Sequence, residues 1–175
     1  MLPDIYKSTF AQYFEDEAFK GNFQASLNIL KRTQKIFFIG NGGSNSICSH
    51  MYEDFAKIGK FRSFAFSDPA LITCFSNDYG YELAMAEWLK IYLEKGDTLV
   101  AISSSGNSKN ILNACQVAEE KEANLIVLSG FDPKNSLNSR TSDSSFHIPV
   151  KNYGVVECYH QVILHALLDT YSEIR

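Results

Sequence analysis

The sequence lacks the marks of several large classes of protein. Its first residues, MLPDIYKSTF, carry neither the basic start nor the continuous apolar core of a signal peptide. No apolar run approaches the ~20 residues that a membrane helix needs. Together these absences predict a cytoplasmic protein that does not span a membrane. Positive charge is in short supply: 16 Lys and Arg face 20 Asp and Glu, for a net charge of −4. That balance, with no block of like charge, argues against a nucleic-acid partner, which demands a basic face. The four cysteines, Cys48, Cys74, Cys115 and Cys158, are scattered without a C-x-x-C pair, so no disulfide framework is expected. Their expected place is in the core, as small hydrophobes.

What is present is the pattern of an α/β domain. Lys35 to Ile39 (KIFFI), Thr98 to Ile102 (TLVAI) and Asn124 to Leu128 (NLIVL) are short, nearly all-apolar runs, with Phe64 to Phe66 and Phe146 to Val150 as weaker ones. Such runs are strands of a parallel sheet covered on both faces. Helical spacing fills the gaps, at Ser46 to Ile58, Asn110 to Glu122 and the mostly apolar Cys158 to Tyr171. Alternation of this kind predicts a three-layer, doubly wound parallel sheet. Asp4 to Arg32 reads as two helices broken near Gly21 and Asn22, and the polar Asp132 to Ser145 reads as a surface loop. With 175 residues and neither repeat nor linker, one domain is expected.

Two loops carry the chemistry. The first strand runs into Gly40-Asn41-Gly42-Gly43-Ser44-Asn45-Ser46, and Thr98 to Ile102 runs into Ser103-Ser104-Ser105-Gly106-Asn107-Ser108; a helix follows each. A helix start offers free N–H groups and the positive end of the dipole, which suit an anion. Glycine allows close approach, and serine hydroxyls add donors without bulk. Asn45 stands where G-x-G-x-x-G needs its third glycine, and no Gly-Lys-Ser/Thr occurs, so nucleotide cofactors are disfavoured. A phosphorylated small molecule is the expected ligand.

Titratable residues cluster by spacing on the flanking helices. His50 and Asp54 stand four apart and share a face, and Glu53 is admitted on the same side. His165 interrupts the apolar run Val162 to Leu168, where an ionisable ring needs either a buried hydrogen bond or a function. His160 is an alternative, and His147 at a strand edge reads as structural.

These residues resemble the sugar isomerase (SIS) domain family, in its phosphoheptose isomerase branch. The resemblance rests on GNGGS at Gly40–Ser44, SNDYGYE at Ser76–Glu82, ISSSGNS at Ile102–Ser108 and ECYHQVILH at Glu157–His165. It implies a flavodoxin-like SIS fold, with an N-terminal helical pair at 1–34 and the SIS domain at 35–175. It also implies a homotetramer with sites at subunit interfaces. The implied reaction converts sedoheptulose 7-phosphate to D-glycero-D-manno-heptose 7-phosphate; the alternative is a non-catalytic module that binds sugar phosphate or docks a protein. The resemblance implies phosphate contacts from Ser103, Ser104, Ser105 and Ser108, and substrate contacts from Asn41, Gly42, Gly43, Ser44, Asn77, Asp78 and Glu157. It implies Asp54 and His165 as the catalytic pair. Zinc or a similar ion would be held by His50, Asp54, Glu157 and His165. Asp54 stands where the family has glutamate, and Glu157 where it has glutamine. Eight residues of helix span ~12 Å, so Glu157 and His165 can share one ion only if the helix is irregular or subunits share the site.

Overall fold

Alternate residues of the central strands divide between two cores, one on each face of the sheet. The computed structural model describes Asp4, Tyr6, Ser8 and residues 13–174. Among them are strands β1 (Lys35–Ile39), β2 (Arg62–Ala65), β3 (Thr98–Ser103), β4 (Asn124–Gly130) and β5 (Ser144–Ile148). The helices are α1 (Glu17–Leu30), α2 (Gly43–Lys57), α3 (Pro69–Tyr79), α4 (Tyr81–Tyr92), α5 (Lys109–Glu120) and α6 (Tyr153–Ile174). Ile36, Phe38, Val100, Ile102, Ile126 and Leu128 pack with Leu27, Met51, Phe55, Tyr159, Ile163 and Leu167 of α1, α2 and α6. Their neighbours Phe37, Ile39, Leu99, Ala101, Leu125 and Val127 pack with Trp88, Leu89, Ile111, Cys115 and Ala118 of α4 and α5. All six residues of β3 are buried, which is why that run shows no polar alternation.

All neighbouring strands pair in parallel, in the order β2-β1-β3-β4-β5. The chain leaves β1 for one edge and then returns past it to β3. A crevice therefore opens between the carboxyl ends of β1 and β3, where such sheets bind ligands. Both singled-out loops leave the sheet at that point.

The structure revises four local expectations. The helix near Gly21 is unbroken; the chain turns at Asp16, whose carboxylate accepts from Phe19 N at 2.9 Å and caps α1. Glycine's cost of ~1 kcal/mol inside a helix is outweighed by the buried Phe19, Leu27, Ile29 and Leu30. The first helix of the expected pair, with Phe10, lies largely outside the described residues. The segment 132–145 is more than a surface loop, because Asn135 and Leu137 are buried. Strand β5 starts at Ser144, two residues before the apolar run. Of the cysteines, Cys48 and Cys115 are buried, with burial pushing the Cys115 thiol up to about 12, while Cys74 and Cys158 are exposed.

Candidate active site

Helices α2 and α5 begin without side-chain caps. By contrast, α1 and α3 are capped by Asp16 and Asp68, each carboxylate accepting a backbone N–H of the first turn. Such a cap contributes about 1 kcal/mol. At α2 the preceding residue is Gly42 at φ 54°, a conformation that favours glycine. At α5 it is Ser108, whose hydroxyl accepts from Ser103 Oγ at 3.2 Å instead of capping its own helix. Both open helix starts meet a cavity of ≈140 Å³ walled by Asn41, Ser44, Ser103, Ser104, Ser105 and Ser108. Tyr153 and Glu157 of α6 close its far side.

The cavity is built for an acceptor-rich guest. Ser104 is 5% exposed, and its hydroxyl has no partner among the described residues. An unsatisfied buried hydroxyl costs about 1–3 kcal/mol, a cost that an anion in the cavity would remove. The serine loop is also braced from behind. Gly106, at φ 66°, packs so closely on Asn135 that a Cβ would collide with its amide. Asn135 Nδ2 donates to Gly130 O at 3.1 Å and Asp132 O at 2.7 Å, and Ser129 Oγ contacts His147 Nδ1 at 2.9 Å. His160 is fully buried and donates from Nε2 to Ser129 O at 3.0 Å, which makes it a strut for β4. Burial pushes its pKa down to about 4 and lowers that of His147 as well, so both rings are neutral near pH 7.

A second group of residues lies further along α2 and α6. His50 Nε2 sits 3.4 Å from Asp54 Oδ2, and His165 Nδ1 of α6 reaches the same oxygen at 3.8 Å. The imidazole rings meet edge to face at 5.2 Å, and Gln161 Nε2 contacts the other nitrogen of His165 at 3.4 Å. One ligand atom from each of His50, Asp54 and His165 lies within 4.8 Å of the others. A tetrahedral ion with ligands at ~2 Å spaces its donors ~3.3 Å apart. The two contacts to Asp54 are near that spacing, so these three residues could hold such an ion after a small inward shift.

The sequence-derived residues thus fall into separate places. Asn41, Ser44, the serine loop and Glu157 share the cavity. Glu157 lies against Gly43, where a Cβ would strike its carboxylate, and it is not part of the histidine group. Seven residues of α2 separate Gly43 from His50 and eleven separate it from Asp54, ~10 and ~16 Å of helix rise. Glu53 is exposed beside Asp54, and Asn77 and Asp78 are exposed on α3, bonded to each other at 2.9 Å and outside the cavity wall. Asn110, Tyr81 and Gln161 were not singled out by residue type. Asn110 follows the serine loop by two residues, so extending that motif would have reached it.

Comparison with known proteins identifies the family and the fold. The SIS domain model matches residues 10–130. The chain is 34% identical over 158 residues to the phosphoheptose isomerase of Fusobacterium nucleatum, covering 86% of this chain and 79% of that protein. It is 30% identical over 169 residues to that of Aeromonas salmonicida, covering 90% and 86%. A solved phosphoheptose isomerase from Francisella tularensis superposes with a TM-score of 0.81 at 25% identity, over 98% of this chain and 96% of that one. The structure of the Neisseria gonorrhoeae enzyme has the same fold, with a TM-score of 0.81 at 24% identity.

Proposed function

The chain belongs to the SIS domain family, and from that premise we propose that it is a phosphoheptose isomerase acting on sedoheptulose 7-phosphate in the cytoplasm. The observation that carries the reading is the serine-walled cavity at two uncapped helix starts, with a buried hydroxyl awaiting an acceptor. The phosphate would sit there, held by Ser103, Ser104, Ser105, Ser108 and the amides that open α5. Asn41, Gly42, Gly43 and Ser44 would line the sugar, and Asn77 and Asp78 would meet it from α3.

The reaction moves a carbonyl from C2 to C1. In our reading Asp54 takes the proton from C1 of the ketose and returns one to C2, and His165 moves the proton between the two oxygens. Asp54 supports the role because its carboxylate is mostly buried between two imidazoles. His50, Asp54 and His165 would also hold a divalent ion such as zinc, which supplies Lewis-acid polarisation of the carbonyl. Glu157, ~12 Å along α6, would join that set only across a subunit boundary.

The same distances favour a homo-oligomer, which we take to be a tetramer. Tyr52, Ile58, Phe64, Tyr79, Leu83, Ile91 and Tyr92 are exposed, and α3 carries Leu71, Ile72 and Phe75 without one fully buried residue. That apolar surface suits burial against further copies. The test of the reading is wash-in of deuterium at the substrate carbon, with aldose formation followed by NMR. Asp54→Asn and His165→Ala should each lower exchange by about a hundredfold or more, while Glu53→Gln retains it. Sugar-phosphate binding without any exchange by the unmodified protein would make it a binding module.

A further inference from the structure

Asn41 is gripped from two sides. Its Nδ2 donates to Asn110 Oδ1 at 3.0 Å, and its Oδ1 accepts from Asn110 Nδ2 at 2.8 Å and from the Tyr81 hydroxyl at 2.7 Å. Asn110 is 3% exposed, and its Nδ2 also meets Met85 Sδ at 3.6 Å. A thioether sulfur accepts hydrogen bonds and has none to give, so the nitrogen of Asn110, not its oxygen, belongs on that side. That contact sets the sense of the whole amide pair.

The donor inventory then closes. Both lone pairs of Asn41 Oδ1 are engaged, and one N–H is spent on Asn110. The other N–H has no partner among the described residues, and Asn41 lines the serine-walled cavity. The pair also ties the loop after β1 to the first turn after β3, fixing the spacing of the two halves of that cavity.

We infer that Asn110 is a positioning residue that makes Asn41 an obligate hydrogen-bond donor to an oxygen of the substrate. That oxygen carries or develops negative charge: a phosphate oxygen, or the carbonyl oxygen on its way to an enediolate. A freely turning Asn41 could offer its carbonyl as easily as its N–H, and half of its orientations would repel such an oxygen. Preorganised donors of this kind are a large contributor to catalysis. The inference rests on the isomerase reading, which it deepens.

Steady-state kinetics with sedoheptulose 7-phosphate and calorimetry with inorganic phosphate test it on Asn110→Ala, Tyr81→Phe and Asn110→Asp. Asn110→Ala should cost about tenfold or more, and Tyr81→Phe about two- to fivefold. Tyr81 is exposed and loses only a hydroxyl, so its variant reports function even if Asn110→Ala folds poorly. A fall in kcat at constant KM identifies the enediolate oxygen; a rise in KM with weaker inorganic phosphate binding identifies the phosphate. Asn110→Asp supplies a readout that a merely structural role would not move. Ionised, the new carboxylate sets two acceptors against Asn41 and turns it; protonated, it regains a donor. Its activity relative to the unmodified protein should therefore rise as pH falls from 8 to 5. A folded Asn110→Asp with a flat ratio, or Asn110→Ala and Tyr81→Phe both within twofold of normal, overturns the inference. If the unmodified protein turns over no ketose phosphate, the isomerase reading fails instead. Phosphate affinity then decides alone: weaker in Asn110→Ala supports the donor, unchanged overturns it.

Discussion

The serine-walled cavity and the His50–Asp54–His165 group share helices α2 and α6, yet they are finished to different degrees. In the cavity Ser103 and Ser104 are 5% exposed, and its loops are braced by Gly106 on Asn135 and by the pair of Asn41 with the buried Asn110. In the histidine group the side chains of His50 and His165 remain 46% and 37% exposed. In the proposed reading, one chain holds a complete phosphate cavity, while the histidine group faces solvent ~10–16 Å further along α2. Reacting atoms must come within ~3–3.5 Å. The gap therefore has to be closed by the length of the substrate or by the histidine group of a neighbouring copy. The exposed apolar surface of α3 and α4 favours the neighbour.

The largest expected effect comes from separating the two regions genetically. A Ser103→Ala, Ser104→Ala double variant breaks the cavity, and Asp54→Asn breaks the histidine group; each alone should lose about a hundredfold in turnover. Co-expressed in equal amounts, the two chains should recover activity in about a quarter of the sites, because a shared site is intact when each half comes from the undamaged chain. If both halves belong to one chain, every site carries a lesion and the mixture stays as inactive as its parts.

The two regions also differed in how much the sequence disclosed. The cavity was legible because its determinants are local: an apolar strand, then glycine and serine, then a helix. The layers of the sheet were legible for the same reason, since β1, β3 and β4 are apolar runs with turn residues at their ends. The partners of these residues were not legible. Asn110 looks like any polar residue on a first helical turn until the fold brings Asn41 within 3.0 Å. Gly21 suggested a break because propensity is local, and the packing that overrides it is not. Helix rise puts Glu157 and His165 ~12 Å apart unless the helix is irregular; α6 runs continuously from Tyr153 to Ile174, and Glu157 stands outside the histidine group.

A medium effect should come from the network behind the serine loop, and it separates buried histidine from exposed. His160 has an ordinary value of 6.5 when unfolded and about 4 when folded, because burial opposes its charge. Above pH 6.5 both states are neutral there, and the fold carries no penalty. Between 6.5 and 4 the unfolded chain binds a proton that the folded chain refuses, so stability falls with pH. The loss approaches about 3 kcal/mol near pH 4. Thermal melts from pH 7.5 to 4 should show this decline, and His160→Gln should flatten it. An equal slope in that variant would assign acid sensitivity to other groups, His147 first among them.

The smallest effect concerns the residue on the border between the regions. Glu157 sits against Gly43 at the uncapped start of α2, where a carboxylate is stabilised by the helix dipole by about 0.3–1 kcal/mol. It also forms part of the wall around the expected phosphate, and two negative charges in one small cavity repel. Glu157→Gln keeps the shape and removes the charge, so the two consequences oppose each other. Stability should drop by about half a kcal/mol as the dipole loses its counter-charge. Inorganic phosphate should bind about two- to fivefold tighter, with the gain shrinking as salt screens the repulsion. Calorimetry at low and high ionic strength reads both the gain and its screening. Phosphate affinity that ignores the substitution at low salt would take Glu157 out of the cavity's electrostatics and assign it to the histidine group of a neighbouring copy.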